Sequence, residues 1–457
     1  MIEFIDKRDD PLRVQFKVNY NFSNEKVLIL WEDAKSLIPQ FSDFLTINKD
    51  GVYYCSLNKP LGFFKNNLTF KIISLKTYAV LFSYTFKNLS FLTHKKILYI
   101  SQNNHSGYSY AARNYIYQLL EAGYEVSWDV SRFGNSSYKA CNEYEQRVFN
   151  CINNRIDYDA VIIHHIPDAW SDIIKTIPRD KKIYGLTVWE TTKLHDDWVR
   201  FINNSGVDEV IVPSFFNQTV FNNSNINKKI NVWYHDIFPF TKNDKINISK
   251  LFSKFYLYND NSYYADESYI KDIIDKKTVY YNISQYNERK NIDQIIRVFC
   301  TKFKGNNDVC LFIKTFFKEF TECQTEMLKY KLMTILKDYD DVPSIVLCFE
   351  DLNDDEINCI HEFGDVYFTL NRGEGFGLCT YTAKKIGNRV ICGKFGAEKE
   401  FLDEKDILLD YNLIDTFNME VYHNWYQNQQ WADYDQDVVL SKIKYFPKTK
   451  KTLYNYD

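Results

Sequence analysis

From His94 onward, short apolar β-branched runs alternate with amphipathic helical stretches, and this alternation constrains the fold more than any other feature. Strands are expected at 96–101, 125–130, 160–164, 183–188 and 209–213, with a helix over 110–123 after the first. A second series is expected at 278–284, 308–315, 344–348, 365–370, 389–392 and 407–409. Such alternation implies parallel sheets with right-handed crossovers. Two series imply two doubly wound α/β domains, whose ligands bind outside the carboxyl ends of the strands. The 102–110 loop, with Ser106-Gly107-Tyr108-Ser109, lies at one such end.

Residues 1–93 read differently, as a β-rich accessory module with strands at 14–21, 26–31, 51–56, 68–75 and 79–86. Its aromatics, among them Trp31, Tyr53, Tyr54, Phe63 and Phe64, read either as core or as stacking platforms for sugar rings. Residues 241–276 are polar, rich in Asn and Tyr and weakly periodic, which suits a linker or insertion. At about 150 residues per domain, 457 residues allow two or three domains. The expected division is 1–93, a first Rossmann-like domain over 94–240, the 241–276 linker or insertion, a second Rossmann-like domain over 277–440, and a closing segment over 441–457 that runs back across the cleft between the two.

Charge and cysteine usage narrow the partners. The net charge of −4 comes from mixed charges without a basic stripe, so no nucleic acid partner is expected. The ten cysteines are scattered singly without C-x-x-C pairs, which suits reduced thiols and a cytoplasmic protein with no bound metal. No signal peptide or uncharged apolar span is evident, so membrane contact is expected to be peripheral at most. The strand-end pair His164-His165 has no third ligand at metal spacing, and Asp338-Tyr339-Asp340 reads as a solvated acidic loop.

The chemistry concentrates in Asn371 to Asn388, N-R-G-E-G-F-G-L-C-T-Y-T-A-K-K-I-G-N, where a buried strand passes through a glycine-lined turn into a helix. Gly373, Gly375 and Gly377 let the backbone approach a ligand, and free amides at the helix start favour an anion. Glu374 inside an anion-friendly turn suits the hydroxyls of an attached polyol, so a phosphate flanked by this acid suggests a sugar nucleotide. The alternative is a plain strand-to-helix turn whose Glu complements the helix dipole.

This stretch resembles the GT-B glycosyltransferases, in particular glycosyltransferase family 4, whose donor signature is E-G-F-G-L-P with a second Glu eight positions after the first. The likeness continues through Gly387 to Ile391 and Gly393 to Leu402, and more loosely over about 94–445. It departs at Cys379, where the family has Pro, and at Thr382, where the family has its second, ribose-holding Glu.

Three further segments carry the resemblance. In N-E-R-K-N, Lys290 falls on the Lys that meets the donor diphosphate, Arg289 stands beside it, and Ser284 replaces an Arg frequent in the family. Basic residues at a helix start oppose the macrodipole, so they need an anion or full solvation. V-P-S-F-F-N, with Ser214 as N-cap, and Y-G-L-T-V-W-E, with Glu190 as cleft residue or surface acid, look like the family's first domain. Gln430-Trp431-Ala432-Asp433 resembles the W-A segment before the closing helix.

The resemblance implies a retaining, metal-independent sugar transfer from a nucleotide-sugar substrate to a glycan or protein- or lipid-linked acceptor, with no cofactor. Lys290 and Arg289 would neutralise the phosphates, Glu374 would orient the sugar, and Gly375, Phe376, Gly377, Leu378, Thr382, Ser284 and Lys314 would complete the donor side. Gly107, Tyr108 and His164 would face the acceptor, and Glu190, counted with Glu374, Lys290 and Arg289 as catalytic, would contact the donor sugar or the acceptor. The competing reading is a catalytically weak glycan- or nucleotide-binding protein on the same scaffold. Transfer onto DNA bases is disfavoured by the acidic charge balance.

Overall fold

The computed structural model describes residues 92, 94–133, 138–152, 154–238, 248–259, 261–417 and 425–448, together with the backbone of seven strands between Ile2 and Phe86. The chain forms two compact units, Met1–Lys95 and Lys96–Asp457.

The first unit holds β1 (Ile2–Asp9), β2 (Leu12–Val18), β3 (Glu25–Asp33), β4 (Phe41–Ile47), β5 (Gly51–Ser56), β6 (Leu68–Ser74) and β7 (Val80–Phe86). They pair in two antiparallel sheets, ordered β1-β2-β5 and β4-β3-β6-β7. β1 and β4 add to the five strands expected. A register shift between Phe4 and Asp6 interrupts the period-two pattern of β1, and Ser42-Asp43 gives β4 the composition of a turn. Phe63 and Phe64, and the side chains of Trp31, Tyr53 and Tyr54, lie outside the described residues.

The second unit begins with β8 (Lys96–Ser101), α1 (Gly107–Glu121), β9 (Glu125–Asp129), α2 (Glu143–Phe149), β10 (Ala160–His164), α3 (Trp170–Ile174), β11 (Lys182–Leu186), α4 (Asp196–Asn204), β12 (Glu209–Val212), α5 (Phe215–Asn223) and β13 (Lys229–Val232). These strands make a wholly parallel sheet in the order β13-β12-β11-β10-β8-β9. Strand order reverses between β8 and β10, so the crevice for a ligand opens at the ends of these two strands. Helix α1 starts three residues before the expected Tyr110, because the Ser106 side chain accepts from Ser109 N and caps it.

A second sheet follows, built from α6 (Ile248–Phe252), β14 (Phe255–Asn259), β15 (Ser262–Tyr264), α7 (Glu267–Lys276), β16 (Thr278–Ile283), α8 (Ile292–Lys302), β17 (Val309–Lys314), α9 (Glu322–Leu336), β18 (Ser344–Cys348), α10 (Asp354–Phe363), β19 (Val366–Phe368), α11 (Leu378–Lys385), β20 (Arg389–Gly393) and β21 (Ile407–Leu409). Its order is β15-β14-β18-β17-β16-β19-β20-β21, with a reversal between β16 and β19. β16 and β17 are buried along their whole length, as expected of parallel strands covered by helices on both faces. Each sheet of this unit is doubly wound, the α/β class expected.

Two expectations are corrected. Of the 241–276 stretch, read as linker or insertion, the described residues 248–276 belong to the second domain, and β14 and β15 to its sheet: β14 pairs antiparallel with β18, and β15 returns along β14. Phe255, Leu257, Ile270, Ile273 and Ile274 are buried there, and Asn261 takes a left-handed φ of 61° between β14 and β15. The closing segment also departs from expectation. After β22 (Asn412–Asp415), β23 (Gln430–Asp433) and α12 (Gln436–Lys442), residues 443–448 stay on the second sheet. Thr278 Oγ1 donates to Phe446 O at 2.8 Å and Tyr280 Oη to Lys444 O at 2.8 Å. The strap that reaches the first sheet is Trp425–Gln430 instead, with Thr192 N donating to Gln430 O at 3.1 Å. Residues 449–457 lie outside the described ones.

Candidate functional site

The two reversals of strand order face one cavity of about 880 Å³, and the candidate donor- and acceptor-side residues named from the sequence line it, Gly373 excepted. On the second-sheet side the loop after β16 and the turn after β19 are bound to each other. Arg372 N donates to Arg289 O at 2.7 Å, and Asn291, at a left-handed φ of 53°, donates from Nδ2 to Leu370 O at 3.1 Å. This zipper brings Arg289 and Lys290 onto the glycine turn.

There they form one ionic cluster with Glu374. Arg289 Nη1 donates to Gly373 O at 2.6 Å and to Glu374 Oε2 at 3.0 Å, and Lys290 Nζ reaches the same Oε2 at 2.5 Å. Glu190 Oε1 lies 3.7 Å from Arg289 Nη2, and Tyr426 Oη donates to Glu190 Oε2 at 2.9 Å. Burial acts to raise the Glu374 carboxyl, but Lys290 and Arg289 outweigh it and hold the group below the usual carboxylate range. The charges assigned separately to phosphate and sugar thus share a single focus. An incoming phosphate would meet two cations that share one carboxylate, which leaves one positive charge in excess.

The glycines answer to protein contacts. A Cβ on Gly373 would lie 2.3 Å from Glu190 O, and one on Gly375 would lie 2.1 Å from Val188 Cγ2 and 2.7 Å from Trp189 O. Gly375 O accepts from Ser214 Oγ and Asn217 Nδ2, each at 2.8 Å. The turn is therefore pressed against the 187–190 loop and the start of α5, whose expected cap Ser214 also accepts from Asn217 N at 3.1 Å. Only Gly377 of the three needs its backbone freedom: it caps α11 at φ 85°. The reading of all three glycines as clearance for a ligand is thus corrected for Gly373 and Gly375.

The remaining donor-side candidates are spoken for in different ways. Thr382 Oγ1 donates to Leu378 O at 3.0 Å and Ser284 Oγ donates to Asn282 Oδ1 at 2.5 Å, so neither hydroxyl proton is directed at the cavity. Phe376 packs among His235, Tyr381 and Phe401. Lys314 is buried with its ammonium 4.5 Å and 4.7 Å from the ring centres of Phe316 and Phe320, and burial draws its pKa down. Gly377 contributes no side-chain cap to α11, leaving the amides at this helix start to other acceptors.

On the first-sheet side Gly107 opens α1 with nothing within 4 Å of a Cβ position, and Tyr108 Oη lies 3.0 Å from Thr187 Oγ1. His164 Nδ1 is 2.8 Å from Tyr99 Oη, and burial followed by the neighbouring His235 and His165 keeps the ring neutral. His165 stacks on Phe133 at 4.4 Å. Among the described residues no three His, Cys, Asp or Glu side chains gather as a metal site.

Contacts at the rim hold the sheets together. Arg113, wholly buried, pairs with Glu145 at 3.2 Å and with Asp354 of α10 at 2.8 Å, and lies 3.9 Å from the Tyr138 ring centre. Opposite, Glu400 accepts from Phe215 N at 3.1 Å and Phe216 N at 2.6 Å at the start of α5.

Sequence reasoning passed over Glu398. It is fully buried beneath the turn, and its Oε1 accepts from Thr380 Oγ1 at 2.7 Å and Asn371 Nδ2 at 3.0 Å. Burial, and then the charge of Glu374, push its pKa up to about 7. The available signal was an acid directly after Gly396-Ala397, in a loop otherwise shaped by small residues. Because folding raises this pKa from an ordinary carboxyl value near 4.5, the folded state holds the proton over the window from about 4.5 to 7, and stability from this group falls as pH rises through it. Urea unfolding should therefore show Glu398→Gln gaining stability relative to wild type at pH 8 but not at pH 4. An equal difference at both pH values would contradict the shift.

No protein-family profile matches the chain, and no curated protein matches it. Solved structures similar to it include Anabaena HepE in complex with UDP and glucose, 13% identical over 69% of this chain and 86% of that one, with a TM-score of 0.43. Sucrose-phosphate synthase from Thermosynechococcus elongatus is 12% identical over 69% and 86%, with a TM-score of 0.45. The E. coli trehalose-6-phosphate structure bound with UDP-2-fluoro glucose is 8% identical over 76% and 90%, with a TM-score of 0.47. Similarity at this level assigns neither ligand nor reaction to any residue here. Among the described residues no helix is long and apolar enough to cross a membrane.

Proposed function

We propose that this chain is a GT-B glycosyltransferase that moves a sugar from a nucleotide-sugar donor to a glycan or to a protein- or lipid-linked acceptor. The observation that carries the reading is the Arg289–Glu374–Lys290 cluster at the reversal of strand order in the second sheet, facing the first sheet across one cavity. Two fixed cations at the end of a parallel sheet suit a departing diphosphate, whose charge grows as the glycosidic bond breaks. With those cations supplying the neutralisation, the reading is of a metal-independent transfer, and it carries retention of configuration from the family resemblance. Glu374 would exchange its contact with Lys290 for sugar hydroxyls as the phosphates take over the ammonium. Glu190 and Tyr426 would close the acceptor side, and the Trp425–Gln430 strap would help exclude water.

A second reading, binding without transfer, is favoured by Thr382 and Ser284, whose hydroxyls are tied to Leu378 and Asn282. Incubating the protein with a panel of nucleotide sugars, and following both donor protection and released nucleotide, separates the two. Release from one donor supports transfer, and protection without release supports the binding protein. Neither response from any donor would remove both.

A further inference from the structure

Beneath the glycine turn two acceptors are buried without a hydrogen-bond partner, Glu398 Oε2 and Asn371 Oδ1. Both residues line the cavity, and Asn371 Nδ2 joins them by its 3.0 Å bond to Glu398 Oε1. Leaving a buried acceptor unpaired costs about 1–3 kcal/mol, so two in one spot call for a donor from outside the chain.

The surroundings fix the carboxyl in place. Thr380 and Asn371 both donate to Oε1, which leaves Oε2 as the unpaired oxygen, an acceptor once the carboxyl has lost its proton above about pH 7. A Cβ on Gly377 would lie 2.8 Å from Glu398 Cγ and 2.9 Å from Oε1, so the turn passes directly over the acid with no side chain between them. Glu374, another carboxylate lining the cavity, is already engaged by two cations.

We propose that Glu398, with Asn371, is a hydroxyl-reading site that accepts hydrogen bonds from a pair of neighbouring hydroxyls on the donor, an inference that rests on the nucleotide-sugar reading above. Two acceptors on linked side chains match two donors on adjacent carbons, as in a vicinal diol. That diol belongs either to the ribose of the nucleotide or to the sugar being transferred. Glu398 is thus a specificity-determining residue, distinct from the cations that meet the phosphates.

The test is calorimetric titration of the full chain at about pH 8.5, where Glu398 is ionised, with UDP, GDP and ADP, their 2′,3′-dideoxy counterparts, and UDP-glucose, GDP-mannose and ADP-glucose. If the site reads ribose, wild type should bind the ribonucleotide about tenfold tighter than its dideoxy form. Glu398→Gln should bind the two alike, because it turns the free acceptor into a donor while an amide oxygen still serves Thr380 and Asn371. If the site reads the transferred sugar, the sugar nucleotide's roughly tenfold advantage over its diphosphate should vanish in Glu398→Gln, with diphosphate affinity unchanged. Glu398→Asp, which keeps the acid but withdraws it, should lose the same increment and serves if the Gln variant does not fold. Wild type that binds nucleotides but shows neither increment, or variants that keep both, would overturn the site and leave the donor assignment standing. Wild type that binds none of these probes would overturn the donor assignment, and this inference with it.

Discussion

Lys290→Met should lower kcat/KM for the donor by about 10²–10³-fold, the range found when one pre-placed donor to developing charge is removed. The ammonium stands 2.5 Å from Glu374 Oε2 and retains 19% exposure, so it is within reach of the cavity while being held by a single carboxylate. Arg289 is 6% exposed and is also bonded to Gly373 O, which ties it to the turn. The freer of the two cations is the one able to follow a departing diphosphate. In Lys290→Met the Arg289–Glu374 pair persists, so the fold should be kept and the loss should appear in nucleotide release. Lys290→Arg should recover part of it. A Met variant within threefold of wild type, with its unfolding midpoint unchanged, would mean that Lys290 only balances Glu374 and that the leaving group is neutralised elsewhere.

The parts of this site that were legible in the sequence are those where local chemistry decides the outcome. The strand–turn–helix of 365–388 placed Glu374 and the anion-favouring helix start, and the N-E-R-K-N turn placed two cations beside a strand end. What sequence reading lacked was the third dimension. Gly373 and Gly375 looked like clearance for a ligand because their partners, Glu190 O and Trp189 O, lie nearly two hundred residues earlier in the chain. Glu398 was passed over because an acid in a loop is ordinarily solvated, and only the fold shows it buried under Gly377. The 248–276 segment read as linker because its strands are short and polar on one side, and its place comes from the edge of β18, a long-range pairing. The closing segment was misplaced for the same reason, since side-chain hydroxyls of Thr278 and Tyr280 decide where it lies.

Gly373→Ala should destabilise the protein by about 1–3 kcal/mol, at the cost of overpacking a filled contact, while Gly107→Ala should leave the unfolding midpoint within about 0.5 kcal/mol. Gly107 lines the cavity and Gly373 stands directly before Glu374, which lines it, and the two glycines differ in what an added methyl meets. At Gly373 it meets the backbone oxygen of Glu190 at 2.3 Å, an atom that cannot swing aside without moving the 187–190 loop. At Gly107 it meets nothing within 4 Å, at the first position of a capped helix where Ala is well tolerated. The loop that must yield at Gly373 also carries Glu190, which lies 3.7 Å from Arg289 Nη2 and accepts from Tyr426. The strain should therefore spread to the ionic cluster, and Gly373→Ala should raise the KM for the donor as well as lower stability, whereas an effect on stability alone would show that the loop gives way without disturbing Arg289. Urea unfolding and donor kinetics on the two variants separate these outcomes, and a Gly373→Ala protein as stable as wild type would mean that the sheets are held apart by more than the close contact of turn and loop allows.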